Sequence, residues 1–118
     1  MAEDRVVRGE ITFDEGAPAF ADATAHVQLE DVSTIDAPSL VVAEQVLPNT
    51  RRPPPGGRIE FAITVWNVDE RASYNVRALI DLDGDGKTSR GDFVTMQSYP
   101  VLTRSHPTEV SIRVRQVR

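Results

Sequence analysis

Residues 81 to 92 place oxygen-bearing side chains at the spacing of a calcium-binding loop. Carboxylates at alternate positions can converge on one cation, and a glycine after the third suits the sharp turn that such a loop needs. The predicted ligands are the side chains of Asp81, Asp83, Asp85 and Asp92, the backbone carbonyl of Lys87, and Ser89 directly or through a water molecule. The expected cofactor is Ca²⁺. Mg²⁺ is less favoured because it demands a tighter octahedron and keeps its waters.

The alternative interpretation of this loop is an acidic turn without a metal, because Asp and Gly are both common in turns. Four aspartates so close together repel one another unless a cation lies between them. Three alternating acids, a glycine and a closing acid therefore favour the ion. Asp92 is shorter than the glutamate usual at the closing position, which predicts a modest affinity.

The segments on both sides of the loop have the pattern of β-strands, whereas helices flank the loop of an EF-hand. Residues 74–80 alternate apolar and more polar positions, and residues 93–99 are rich in aromatic and β-branched side chains. The sequence contains one such loop and no sister loop. The ion is therefore expected to close a β-hairpin and to stabilise the fold.

Composition predicts one small domain that spans residues 1–118. Apolar residues make up 40% of the chain, which is enough to bury one core without disulfides. The absence of cysteine excludes disulfides, thiolate zinc sites and a cysteine nucleophile. A net charge of -5 argues against a nucleic-acid partner, since neutralising phosphates requires a basic surface.

The cellular compartment is not fixed by the sequence. No segment approaches the length of a membrane span, and the first residues lack the apolar run of a signal peptide. The chain also contains no cysteine to which a lipid anchor could be attached. We expect a periplasmic or cell-surface protein if a leader has been removed, and a cytoplasmic protein otherwise.

Short segments with strand character recur along the chain between turn residues. They cover residues 6–13, 25–32, 40–47, 59–66, 74–80, 93–99 and 110–114. Pro53, Pro54 and Pro55 lack amide hydrogens and mark a surface connection between two of these strands. No segment has the pattern of a helix. About seven strands of this kind predict an all-β fold, an immunoglobulin-like or transthyretin-like β-sandwich.

Several short motifs suggest a family. They are LEDVS at residues 29–33, DAP at 36–38, AEQ at 43–45, the strand ending at Ile63, YNVRA at 74–78 and YPVLT at 99–103. In these motifs the chain resembles the YbaY/YscW-like family, which includes the lipoprotein chaperones, or pilotins, of type III secretion. The resemblance extends over residues 6–117 and implies a β-sandwich that is usually exported and frequently lipid-anchored. The chain lacks the anchor cysteine of the lipid-anchored members.

The main functional hypothesis is a non-enzymatic, calcium-stabilised β-sandwich that serves as a binding or scaffolding module of the bacterial cell envelope. His26 and His106 lie in no metal-ligand pair or nucleophile motif, so nothing favours catalysis. One alternative is a pilotin-like chaperone of an exported or secretion-system protein, which would bind its partner at an exposed sheet edge. Another is a carbohydrate-binding module in which an exposed Trp66, with Tyr74 and Tyr99, stacks on a sugar.

The last predicted strand has a basic strip formed by Arg113 and Arg115, which continues to Arg118. Its simplest interpretation is a solvated face that discourages pairing between sheet edges. The alternative is a docking surface for an acidic partner.

Overall fold

The computed structural model describes residues 5–34 and 36–118. Residues 1–4, which were predicted to lack the apolar run of a leader, and residue 35 lie outside the described residues. The described residues form eight β-strands. They contain no helix that is long and apolar enough to cross a membrane. The strands are β1 (Arg5–Phe13), β2 (Ala23–Asp31), β3 (Leu40–Thr50), β4 (Ile59–Val65), β5 (Tyr74–Asp81), β6 (Phe93–Thr95), β7 (Pro100–Val101) and β8 (Glu109–Gln116).

All eight strands belong to one sheet. Its order is β3, β2, β5, β6, β8, β1, β4, and β7 pairs with β5 outside this path. The neighbours are antiparallel except for β1 and β8, which come from opposite ends of the chain and run parallel, with Ile11 opposite Ile112. The short strand β6 bonds to both β5 and β8 and so joins the two halves of the sheet.

The two edge strands, β3 and β4, approach each other and give the sheet a nearly closed, barrel-like form. The backbone amide of Ala62 on β4 donates a hydrogen bond of 2.8 Å to the side-chain oxygen of Gln45 on β3. No backbone ladder joins the two edges within the described residues. The predicted all-β class is confirmed. The predicted immunoglobulin-like or transthyretin-like sandwich is not clearly present, because β6 connects strands that two separate sheets would keep apart.

The core lies on the inner face of this curved sheet. Alternate residues of the strands are buried, as in Val27 of β2 and Ile112 of β8, which are both fully buried. At one end Phe13, Phe20 and Phe93 form an aromatic cluster with ring centroids 5.3 to 5.7 Å apart. Burial of each such aliphatic or aromatic side chain stabilises the fold by about 1.5–3 kcal/mol.

The seven predicted strands agree with the observed ones in approximate position, but eight strands are observed and two predicted segments differ most in extent. Strand β3 was expected over residues 40–47 and continues to Thr50. The segment expected to form one strand over residues 93–99 instead leaves the sheet after Thr95, and the chain returns as β7. A cleft therefore opens between the first half of β8 and the segment that follows β6.

Candidate functional site

The acidic loop, residues 81–92, connects β5 to β6. Carboxylate oxygens of Asp81, Asp83 and Asp85 lie within 4.8 Å of one another, and no other group of this kind occurs among the described residues. Asp81 is buried, whereas Asp83 and Asp85 are exposed. The structure thus brings together three of the four aspartates that were predicted as ligands.

Asp81 organises the first half of the loop through its carboxylate. One oxygen accepts a hydrogen bond of 3.0 Å from the amide of Gly84, and the other accepts one of 2.6 Å from the amide of Gly86. Both glycines have positive φ angles, 76° and 75°, which suit a residue without a Cβ. Burial raises the pKa of Asp81, but hydrogen bonds from the side chain of Asp83 and from these amides outweigh it, so the pKa lies below 3.8.

Asp83 responds in the opposite direction. Its side chain is hydrogen-bonded to Asp81, and this contact, with desolvation and the neighbouring Asp85, raises the pKa of Asp83 above 3.8. Two close carboxylates behave in this way because they ionise together only at a cost. A divalent cation among the three carboxylates would remove that cost, which is the chemistry that the sequence pattern predicts.

The closing residue, Asp92, lies apart from this cluster. Its side chain is almost fully buried, and its two oxygens accept hydrogen bonds of 2.9 Å from the amides of Leu82 and Ser89. Its backbone carbonyl accepts a further hydrogen bond of 2.7 Å from the amide of Val117. Asp92 therefore fixes the loop to itself and to the end of the chain through backbone groups.

The backbone amide of Lys87 and the side chain of Ser89 both contact Asp85. The amide of Lys87 donates to one oxygen of Asp85 at 2.9 Å, and the hydroxyl of Ser89 lies 3.4 Å from the other. These contacts are those of a hydrogen-bonded acidic turn, the alternative that the sequence left open. Binding of Ca²⁺ or Mg²⁺ by this loop remains a prediction.

A second surface is apolar and was not identified as a site from the sequence. It follows the edge strand β3 and the residue just after β2, where five aliphatic side chains on both faces of this edge have 42% to 67% of their surface accessible. We call it the edge patch, and its members are Val32, Leu40, Val41, Val42 and Val46. Edge strands usually shield themselves with charges or proline. Glu44 and Pro48 are the only residues of these kinds in β3, so the strand presents an apolar edge.

Trp66 lies at the same end of the molecule as the first residues of β3. Successive pairings through the sheet make β3 and β4 antiparallel, and Gln45 faces Ala62. Trp66, just beyond the end of β4, therefore lies toward the end of the molecule at which β3 begins. Trp66 is 68% exposed, so the two edges of the sheet both present apolar side chains here.

The aromatic residues considered for sugar stacking do not share one surface. Trp66 is exposed, but Tyr74 is buried, and its hydroxyl accepts a hydrogen bond of 3.0 Å from the amide of Asp69. Tyr99 is half-buried, and its hydroxyl accepts a hydrogen bond of 2.9 Å from the amide of Arg113. The three-residue sugar platform is therefore absent, and a carbohydrate site would have to rest on Trp66 alone.

The geometry described above is that of an all-β module with an apolar, unpaired sheet edge. The model of the family described as type III secretion system lipoprotein chaperone (YscW) matches residues 2–114, and the chain belongs to this family. The resemblance inferred from the short motifs is thereby confirmed.

A solved structure agrees with this assignment. The chain is similar to an alternative pilotin from the type II secretion system of Vibrio cholerae, with 28% identity and a TM-score of 0.79. The match covers 98% of this chain and 99% of that chain. No curated protein matches the sequence.

Proposed function

We propose that this chain is a pilotin-like chaperone that binds an apolar segment of a secretion-system protein at the edge patch. Membership of a family of secretion chaperones and similarity to a type II secretion pilotin support a protein partner. The observation on which the choice of surface depends is the apolar, unpaired edge of β3. A chaperone role is also consistent with the expectation that the chain is not an enzyme.

The edge patch offers a partner two kinds of interaction. Leu40 and Val41 are more than half exposed, so covering them would contribute about 1.5–3 kcal/mol each at most. The backbone groups on the outer side of β3 face β4 across the gap that Gln45 and Ala62 bridge, but they pair with no other strand among the described residues. An extended segment can add to such an edge through main-chain hydrogen bonds while its apolar side chains pack on the patch.

The family description also supports a location for the protein. A lipoprotein chaperone of a secretion system acts at the cell envelope, so we place this chain there, in the periplasm or at a membrane surface. This proposal replaces the calcium-stabilised scaffold as the main function, because the family is described by its chaperone role. Calcium binding is retained as a separate hypothesis about stability.

The test compares two charge insertions on opposite edges of the sheet. Val41→Lys places a charge in the edge patch on β3, and Thr64→Lys places the same charge on an exposed position of β4. Tagged protein is recovered from the native host, and co-purified secretion-system subunits are quantified by mass spectrometry. Thermal melts establish that both variants are folded.

We expect the wild type and the Thr64→Lys variant to recover the same secretion-system subunit. The Val41→Lys variant should recover at least about tenfold less, because a charge buried at the interface and a lost apolar contact together cost more than the 1.4 kcal/mol that this factor represents. Equal recovery by the two variants would show that the edge patch is not the docking surface. Recovery of no secretion-system subunit by the wild type would contradict the chaperone function itself.

A further inference from the structure

The cleft beside β8 arises because β6 is short. Strand β6 pairs with β8 only from Val114 to Gln116, although β8 begins at Glu109. The first half of β8 therefore has a strand neighbour on the β1 side alone. The hydroxyl of Tyr99 lies in the gap and accepts a hydrogen bond from the amide of Arg113. It takes the place of the backbone carbonyl that a neighbouring strand would supply as acceptor.

The resulting cleft has a volume of about 440 Å³, and Arg113, Arg115, Tyr99, Ser111 and Met96 are among the residues that line it. We call it the β8 cleft. The described residues that line it include two arginines and no carboxylate. Since the whole chain has a net charge of -5, this local surplus of positive charge is distinctive.

The two arginines share a single counter-ion at the rim of the cleft. Nη1 of Arg113 lies 3.5 Å from one carboxylate oxygen of Asp14, and Nε of Arg115 lies 3.4 Å from the other. Both separations exceed the 2.7–2.9 Å of a strong charge-assisted hydrogen bond. All three side chains are about half exposed, and surface ion pairs of this kind are weak. An external carboxylate could therefore displace Asp14 at little cost.

The chemistry of the cleft favours a peptide carboxylate over a phosphate. Guanidinium groups bind carboxylates through paired hydrogen bonds, and an exposed methionine such as Met96, 59% accessible, makes adaptable apolar contacts. Phosphate sites usually add free backbone amides. Here the amide of Arg113 is already bonded to Tyr99, so the cleft offers mainly side-chain donors, beside the apolar side chain of Met96.

We propose that the β8 cleft binds an acidic segment of a protein partner, in which a carboxylate takes the place of Asp14 on Arg113 and Arg115. The cleft is separate from the edge patch, because at least two strands lie between β3 and β8 in either direction around the nearly closed sheet. A partner could therefore engage both surfaces at once. The proposal does not depend on the function assigned to the edge patch.

The experiment uses a synthetic peptide of alternating glutamate and leucine, with a glutamine-leucine peptide of the same length as control. Binding to the isotope-labelled full chain is followed by nuclear magnetic resonance. We expect the largest shifts at the amides of Ser111 and Arg113 and at the methyl group of Met96, and weaker binding at high salt. Asp14→Asn should tighten binding several-fold, because it removes the internal competitor.

Loss of the arginines should have the opposite effect. The double variant Arg113→Gln with Arg115→Gln should bind at least about tenfold more weakly, while Arg113→Lys with Arg115→Lys, which keeps the charge, should fall between it and the wild type. Arg71→Gln, at an exposed position of the connection between β4 and β5, should change nothing, and neither should Val41→Lys. Melts of every variant separate lost binding from lost folding.

Three outcomes would overturn the proposal. The first is no binding of the acidic peptide to either the wild type or the Asp14→Asn variant. The second is equal binding of the glutamine peptide, which would assign the contact to leucine alone. The third is preferential binding of inorganic phosphate or of anionic lipid vesicles at the same residues, which would assign the cleft to another class of ligand.

Discussion

The acidic loop makes most of its hydrogen bonds within the chain, whereas the edge patch leaves apolar side chains and backbone groups without partners in the described part of the chain. In the loop, Asp81 and Asp92 accept four backbone hydrogen bonds between them, so much of the charge is used inside the chain. In the edge patch, Leu40 and Val41 are more than half exposed, and the outer backbone of β3 has no strand partner among the described residues. A conspicuous motif can therefore serve the fold, while an inconspicuous strand is left available to a partner.

Two leucines on neighbouring strands differ most clearly in burial. Leu29 on β2 is fully buried and Leu40 on β3 is 67% exposed. We expect Leu29→Ala to lower the free energy of unfolding by about 2–5 kcal/mol, because it leaves a cavity in the core. Leu40→Ala should change it by no more than about 0.5 kcal/mol. Urea unfolding measures both, and a large loss for Leu40→Ala would mean that the patch belongs to the core.

Asp92 is expected to stabilise the acidic loop through its buried carboxylate. Asp92→Ala leaves the amides of Leu82 and Ser89 without their acceptor in a buried setting, so we expect a loss of about 2–3 kcal/mol. Asp85→Ala is the control, since Asp85 is exposed and should cost less than about 1 kcal/mol. Unfolding in chelator makes the comparison free of divalent ions. Similar losses for the two variants would contradict the anchoring role of Asp92.

Calcium tests whether the remaining charge of the loop has a ligand. If the three clustered aspartates bind Ca²⁺, free calcium at a hundredfold excess over the dissociation constant should stabilise the protein by about 2.7 kcal/mol. Mg²⁺ should stabilise it less. The double variant Asp83→Asn with Asp85→Asn should lose the effect. An unchanged melting midpoint in calcium and in chelator would leave a hydrogen-bonded turn as the only role of the loop.

The sequence predicted the strands better than it predicted their arrangement. Alternation of apolar residues, as in residues 74–80, reflects local burial on one face, and β5 lies where that pattern placed it. The arrangement depends on pairing between distant segments. The parallel contact of Ile11 with Ile112 joins residues from opposite ends of the chain, and no local pattern specifies it.

The edge patch and the β8 cleft could not be predicted from the sequence, and the reason is the same for both. Val41 and Val46 have the character of ordinary strand residues, and only their place at the margin of the sheet makes them exposed. Arg113 and Arg115 were recognised as a basic strip, but the cleft beside them depends on the early end of β6. The acidic loop was found from sequence because its residues are contiguous. Its ligand set remains a prediction, and in the structure the carboxylate of Asp92 accepts backbone hydrogen bonds.

The smallest predicted effect separates two aspartates of the loop by pH. In chelator, Asp81 has a lowered pKa in the folded protein, so its charge stabilises the fold above about pH 4, and that contribution is lost as the pH falls through the lowered pKa. Asp83 has a raised pKa, so its protonated form stabilises the fold at low pH, and that contribution is lost as the pH rises through the raised pKa.

Amide substitutions should therefore have opposite signs near neutral pH. In chelator we expect Asp81→Asn to lower the urea midpoint and Asp83→Asn to raise it slightly, because the second variant removes a charge that the folded loop disfavours. Both effects should shrink in acid, where the wild-type side chains are protonated. Saturating calcium should reverse the sign for Asp83→Asn alone if Asp83 is a ligand, because the substitution then removes a favourable charge. Equal signs for the two variants in chelator would show that the carboxylates are not coupled as the loop geometry indicates.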